Sequence, residues 1–145
     1  MIKVNVSVDI DRPSDQVFAF LADASNNTRW QKGMRSCQWT SAGPIAVGST
    51  YEQEASFMGR TIRSSFEVTE LDPGHQVTIT STNGTFPIMV TRSVDRLDVD
   101  ACRARARISG GPTGIGRIFD PITQLLVQSS VRRDYRRLKE LLEGS

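Results

Sequence analysis

Residues 116–145, GRIFDPITQLLVQSSVRRDYRRLKELLEGS, decide the fold. Ile118, Ile122, Leu126, Val131, Tyr135, Leu138 and Leu142 recur through them at helical intervals, the apolar stripe of one long amphipathic helix turned toward a core. No other long helix precedes it, because everything between Met34 and Ser109 reads as strands and turns. A strand-rich chain closed by a single long helix implies a curved sheet wrapped around that helix. Unless large side chains fill it, such an arrangement leaves a hole between sheet and helix, and a hole is a clue to function.

Upstream, Ile2, Val4, Val6, Val8 and Ile10 alternate with Lys3, Asn5, Ser7, Asp9 and Asp11, a strand with one buried and one wet face. Arg12-Pro13-Ser14 ends it. Ser14 is the expected N-cap of a helix running to about Asp23, with Asp15 and Gln16 in its first turn. Ser25-Asn26-Asn27 breaks that helix, and a short second one passes through Trp30 to about Gly33. Period two then returns in six segments: Met34–Ser41, Gly48–Phe57, Thr61–Leu71, His75–Ser81, Phe86–Leu97 and Ala101–Ser109. Gly59, the type II signal Asp72-Pro73-Gly74 and the type I′ signal Asn83-Gly84 separate several of them. The order is β-α-α-β6-α in one domain spanning residues 1–145, an α+β fold with a seven-stranded antiparallel sheet around a long C-terminal helix.

Composition narrows the function classes. With 38% hydrophobic and 23% charged residues the chain has the profile of a soluble globular domain. Its 18 basic and 16 acidic residues are interspersed, so no nucleic-acid footprint is expected. The longest apolar run, Val17–Ala22, falls well below the ~20 residues of a membrane span. The strand begins directly after Met1, so no signal peptide is read and a cytoplasmic location is expected. His75 is the lone histidine and lies far in sequence from Cys37 and Cys102, so neither a metal nor another cofactor is expected. Cys102, in an alternating strand pattern with Ala104 and Ala106, reads as a small buried thiol.

The stretches VSVDIDRPSDQVFAFLAD, Trp30 in NNTRWQKG, VGSTYEQEASFMGR, FEVTELDPGHQVTI and RRLKELLE, in this order, resemble the START-like or Bet v 1-like (SRPBCC) superfamily, and within it the polyketide cyclase/dehydrase type. The likeness runs from about Val4 to Glu143. At the last hairpin, where members often carry Gly-Thr, this chain has Asp98-Val99-Asp100-Ala101, which departs from the pattern in turn geometry. The resemblance implies a helix-grip fold: an antiparallel sheet gripping the final helix around an apolar cavity. Its members include aromatase/cyclases and lipid or hormone carriers.

Cys102, Ala104 and Ala106 face inward on the last strand with little volume just where the helix must pack. Candidates to line the resulting space are Trp30, Met34, Trp39, Tyr51, Phe57, Phe66, Phe86, Ile88, Val90, Arg92, Ala104, Ile118, Phe119 and Ile122. Singly, each is explained by core packing; together, in this fold, they suit a flat apolar ligand. Tyr51 can donate a hydrogen bond to such a ligand. Arg92 is in phase with Ile88 and Val90, whereas the opposite phase turns Met89, Thr91 and Ser93 inward, and the sequence leaves both open. Were Arg92 inside, a carboxylate or a ligand anion should answer its charge. Arg103, Arg105 and Arg107 share the outer face of the last strand; the sheet order that the resemblance implies pairs this strand with the first, so ion pairs to Asp9 and Asp11 are expected.

The reading is therefore a protein, monomer or homodimer, that binds a small apolar or aromatic molecule, lipid or polyketide-like. The alternatives are a cyclase/aromatase that folds a poly-β-keto chain and stabilises enolate charge through Tyr51 or Arg92, and a regulatory module that binds another protein. The absence of a histidine or carboxylate pair suited to proton transfer favours binding.

Overall fold

The strand nearest the N-terminus and the terminal helix lie side by side and close the molecule. The structure is a computed structural model that describes residues 2–57, 59–83, 87–110 and 121–144. Its elements are β1 (Ile2–Ile10), α1 (Ser14–Ala22), a 3₁₀ turn (Ala24–Asn26), α2 (Asn27–Trp30), β2 (Met34–Trp39), β3 (Thr50–Phe57), β4 (Arg60–Asp72), β5 (Gln76–Asn83), β6 (Ile88–Asp98), β7 (Ala101–Gly110) and α3 (Pro121–Glu143). The strands form one sheet in the order β1-β7-β6-β5-β4-β3-β2, every neighbouring pair antiparallel. This is the helix-grip α+β architecture.

Alternation sets the two faces. Val4, Val6 and Ile10 of β1, Cys102, Ala104 and Ala106 of β7, and Arg92 and Val94 of β6 are buried on one face. Val17, Phe18 and Leu21 of α1 and Tyr135, Leu138 and Leu142 of α3 pack on that face. The small side chains of β7 let α1 approach closely. Register shifts between Val68 and Glu70 and between Met34 and Ser36 mark bulges, which bend strands and help the sheet curl. At the β4–β5 connection Pro73 and Gly74 occupy the centre of a turn closed by the His75 N–H on the Asp72 carbonyl at 3.0 Å. Gly74 has φ +81° there, as a type II turn requires.

Helix α3 lies along β1 and supplies partners for its edge. Gln124 accepts from the Lys3 N–H at 3.2 Å and donates to the Lys3 carbonyl at 2.6 Å. The Lys139 ammonium donates to the Asp9 carbonyl at 2.7 Å, and Glu143 accepts from the Asp11 N–H at 2.8 Å. These bonds engage the free edge near both ends of β1, one of the ways in which edge strands are covered.

Several expectations are corrected. Ser14 is the first helical residue of α1 and not its cap; Pro13 holds the cap position in an extended conformation, without a side-chain bond. Asn27 does not break a helix but begins α2, fully buried. On the outer face, Arg103 meets Asp9 at 2.7 and 3.2 Å as expected. Asp11 lies beyond the end of β1, and Arg105 instead pairs with Asp95 of β6 at 3.1 Å. Residues 116–120 of the expected terminal helix and Gly84 of the expected hairpin turn lie outside the described residues. No described helix is long and apolar enough to cross a membrane.

His75 sits between two carboxylates, with Nδ1 3.3 Å from Asp72 and Nε2 3.1 Å from Asp95. The hydrogen bond to Asp95 first, and that to Asp72 with it, raise its pKa above 6.5. A histidine whose folded pKa exceeds its unfolded one stabilises the protein fully below the unfolded value, and loses that contribution as pH rises through the folded value. NMR titration should return a His75 pKa above 6.5 that falls in Asp95→Asn. A wild-type value at or below 6.5 would refute the contact. The site is half-exposed, so the effect should weaken in salt.

Candidate functional site

The short helix α2 brings Trp30 over the sheet, and α3 holds it there. Arg137 Nη1 donates to the Trp30 carbonyl at 3.1 Å and to Asp134 at 3.1 Å, while Asp134 also accepts from the Lys32 N–H at 3.2 Å. The Trp30 ring meets Tyr135 of α3 edge to face, with centroids 5.1 Å apart. From the other side comes Arg92. Period two in β6 turns Ile88, Val90, Arg92 and Val94 to the same face, which decides the phase that the sequence leaves open.

Arg92 is 8% exposed. Its Nη1 donates to the Leu21 carbonyl at 3.2 Å and to Asn27 Oδ1 at 3.0 Å, and its guanidinium lies 5.2 Å from the centre of the Trp30 ring. Asn27 in turn donates to Cys37 Sγ at 3.7 Å. Of the two expected answers, a carboxylate or a ligand anion, no carboxylate of the described residues pairs with it; two neutral acceptors and an indole face contact the charge. A carbonyl at the end of α1 and an amide buried at the start of α2 can take that place because both helix ends converge on β6.

Between the sheet and α3 these groups line a partly open cavity of about 190 Å³. Tyr51, Phe66, Ile79, Ile88, Val90, Ala106 and Ile108 of the strands and Val131 and Tyr135 of α3 form its apolar wall, with Trp30 and Arg92. Half-buried Gln31, Gln53 and Asp134 add polar groups. Tyr51 stacks on Phe66 at 5.3 Å. Burial pushes the Tyr51 phenol well above its usual pKa and that of Tyr135 up to about 12, although the Arg92 charge pulls both the other way. Both hydroxyls stay protonated at any working pH and can donate. Burial likewise raises Asp134, against the bonds from Lys32 and Arg137. Two buried polar atoms, Trp30 Nε1 and Tyr135 Oη, find no hydrogen-bond partner among the described residues. Buried polar atoms are nearly always partnered in folded proteins, and these two are exceptions.

Of the residues singled out by sequence, Trp30, Tyr51, Phe66, Ile88, Val90 and Arg92 come together around the cavity. Ala104 does not: it is fully buried in the packed core, and Ala106, one repeat further along β7, is the small residue in the wall. Trp39 stands behind Tyr51, edge-on at 5.3 Å, with its Nε1 donating to Asp23 at 2.8 Å. Met34 packs beside the core and outside the cavity wall. Ile118 and Phe119 lie outside the described residues, as do Phe86 and the side chains of Phe57 and Ile122. Sequence reasoning missed Ile79, Ile108, Gln31, Gln53 and Asp134. Val131 and Tyr135 were visible in the helical stripe and needed only to be assigned to the cavity.

Larger depressions, of about 350 and 600 Å³, lie on the solvent side of the sheet. Charged and polar side chains dominate them, among them His75, Asp95 and Arg105 in one and Glu52, Glu54 and Arg63 in the other. Polar grooves do not desolvate a ligand as an apolar pocket does, so the apolar space is the candidate site.

Comparison with known proteins gives a consistent result. The family described as polyketide cyclase / dehydrase and lipid transport matches residues 1–143. No curated protein matches the sequence. Among solved structures, a protein from Thermus thermophilus is similar with a TM-score of 0.78 and 20% identity, covering 99% of each chain. A conserved protein from Geobacillus kaustophilus has a TM-score of 0.79 and 12% identity, over 99% of this chain and 97% of its own. An aromatase/cyclase from Streptomyces sp. R1128 has a TM-score of 0.71 and 13% identity, over 98% and 91%. At such identities the likeness concerns the fold alone.

Proposed function

Because this chain belongs to the polyketide cyclase / dehydrase and lipid transport family, we propose that it binds a small apolar or aromatic molecule in the cavity between the sheet and α3. One observation carries the reading: an apolar space of about 190 Å³ between sheet and helix, lined by Trp30, Tyr51, Phe66 and Tyr135 with Arg92 among them. A dry cavity of about 150 Å³ suffices for benzene, so this one suits one or two fused rings or a short acyl segment.

The same size argues against a long poly-β-keto chain held whole. Chemistry adds to this. The tyrosines that face the space are held protonated by burial, and its one described carboxylate, Asp134, is engaged by Lys32 and Arg137. Both bonds to Asp134 end on Oδ1, so Oδ2 keeps its lone pairs, but no histidine or second carboxylate among the described residues lines the space to complete an acid–base pair with it. Binding without turnover is the function these groups serve best.

An apolar fluorescent dye should therefore bind with a stoichiometry of about one and perturb Trp30 emission. Trp39→Phe leaves Trp30 as the single tryptophan, so the changed signal can be assigned. Absence of saturable binding, or a response that disappears in Trp39→Phe, would remove the cavity as the ligand site.

A further inference from the structure

We infer that the cavity selects a carboxylate: its ligand is an aromatic or acyl carboxylic acid whose charged head sits against Arg92, which makes Arg92 the specificity-determining residue. This rests on the reading of the cavity as a ligand site. A guanidinium carries a full charge and five N–H donors at any working pH. In Arg92 only Nη1 has partners among the described residues, and both are neutral. No described carboxylate reaches ion-pair distance of Arg92. The residue is only 8% exposed, a situation that disfavours the folded state unless an anion answers the charge.

Arg92 is the one cation among the described residues of the wall, set between aromatic and aliphatic side chains, with Gln31, Gln53 and Asp134 as the other polar members beside the tyrosines. The complement of that cation and its surroundings is an anionic head on an apolar body. A neutral hydrocarbon would leave the Arg92 charge without a counter-ion. The opposing charge in the wall, Asp134, is tied to Arg137 and to the Lys32 N–H, away from the Arg92 guanidinium held by α1 and Asn27.

Two probes isolate the head group: naphthalene-2-carboxylate and naphthalene-2-carboxamide share a ring system of a size that fits, and differ in charge. Calorimetric titration of the wild-type protein at pH 7 should show the carboxylate binding about 10- to 100-fold more tightly, the gain of a hydrogen-bonded charge over a neutral one. Arg92→Met should erase the difference between the probes, and Arg92→Lys, which keeps a charge without the planar fork, should retain part of it. Equal affinities, or a preference for the amide, overturn the proposal and leave the ligand site standing. Binding of the apolar dye but of neither naphthalene also overturns it. If dye and probes all fail to bind, the ligand site itself falls. Should Arg92→Met fail to fold, the wild-type comparison and Arg92→Lys still decide.

Discussion

Ala106→Phe should abolish ligand binding while the protein remains folded. Ala106 lies between Val6 of β1 and Arg92 of β6 in register, and its side chain forms part of the cavity wall. A phenyl ring there occupies the volume that a ligand ring needs, since benzene alone takes a cavity of about 150 Å³ and about 190 Å³ is present. The control is Ala104→Phe, one repeat away. Ala104 is fully buried in packed core, so that ring has no space to enter and should destabilise by ~1–3 kcal/mol through overpacking. Dye titration and thermal melting of the two variants separate the cases. A stably folded Ala106→Phe protein that still binds dye would mean the ligand sits elsewhere.

Trp30→Ala should cost about 3–5 kcal/mol, the usual range for removing a buried large aromatic. Trp30 is 2% exposed and has two specific partners besides its contact area: the Tyr135 ring edge-on and the Arg92 guanidinium at its face. Domains of this kind are stable by only ~5–15 kcal/mol, so the loss is a large share of the whole. It should appear as a fall in the urea midpoint with little change in slope. A loss below about 1 kcal/mol would show that α2 is not packed as described. Trp39→Phe should be milder, because Trp39 is only half-buried and its bond to Asp23 lies toward the surface.

The sequence made the architecture legible because period two and period 3.6 are imposed by burial itself. Ile2 to Ile10, the Pro73-Gly74 turn and the stripe through Tyr135, Leu138 and Leu142 needed no tertiary information. Depth along a strand is different. Ala104 and Ala106 share a face, and alternation cannot tell which lies under a helix and which beside a cavity. That depends on where α1 ends, and Leu21 meeting Arg92 marks that end. Residues two positions further on, Val94 and Ala104, are then beneath the helix and packed. The partner of Arg92 was illegible for a related reason. Its acceptors are a main-chain carbonyl, which has no sequence signature, and Asn27, whose neighbours Ser25 and Asn26 gave it the look of a loop residue.

The pairing of β1 with β7 has a consequence for how the chain is made. Val6 sits opposite Ala106, so the first strand to be synthesised waits about a hundred residues for its neighbour, and longer for α3, whose Gln124, Lys139 and Glu143 engage its free edge. Until then β1 is an apolar ribbon with both margins open, the kind of segment that attracts other chains. Contacts so distant along the chain also make for slow folding. Closure of the barrel-like grip is therefore a single late event in the life of each molecule. A ribosome-bound fragment ending near residue 100 would hold its opening strand unpaired, however well the central hairpins had already formed.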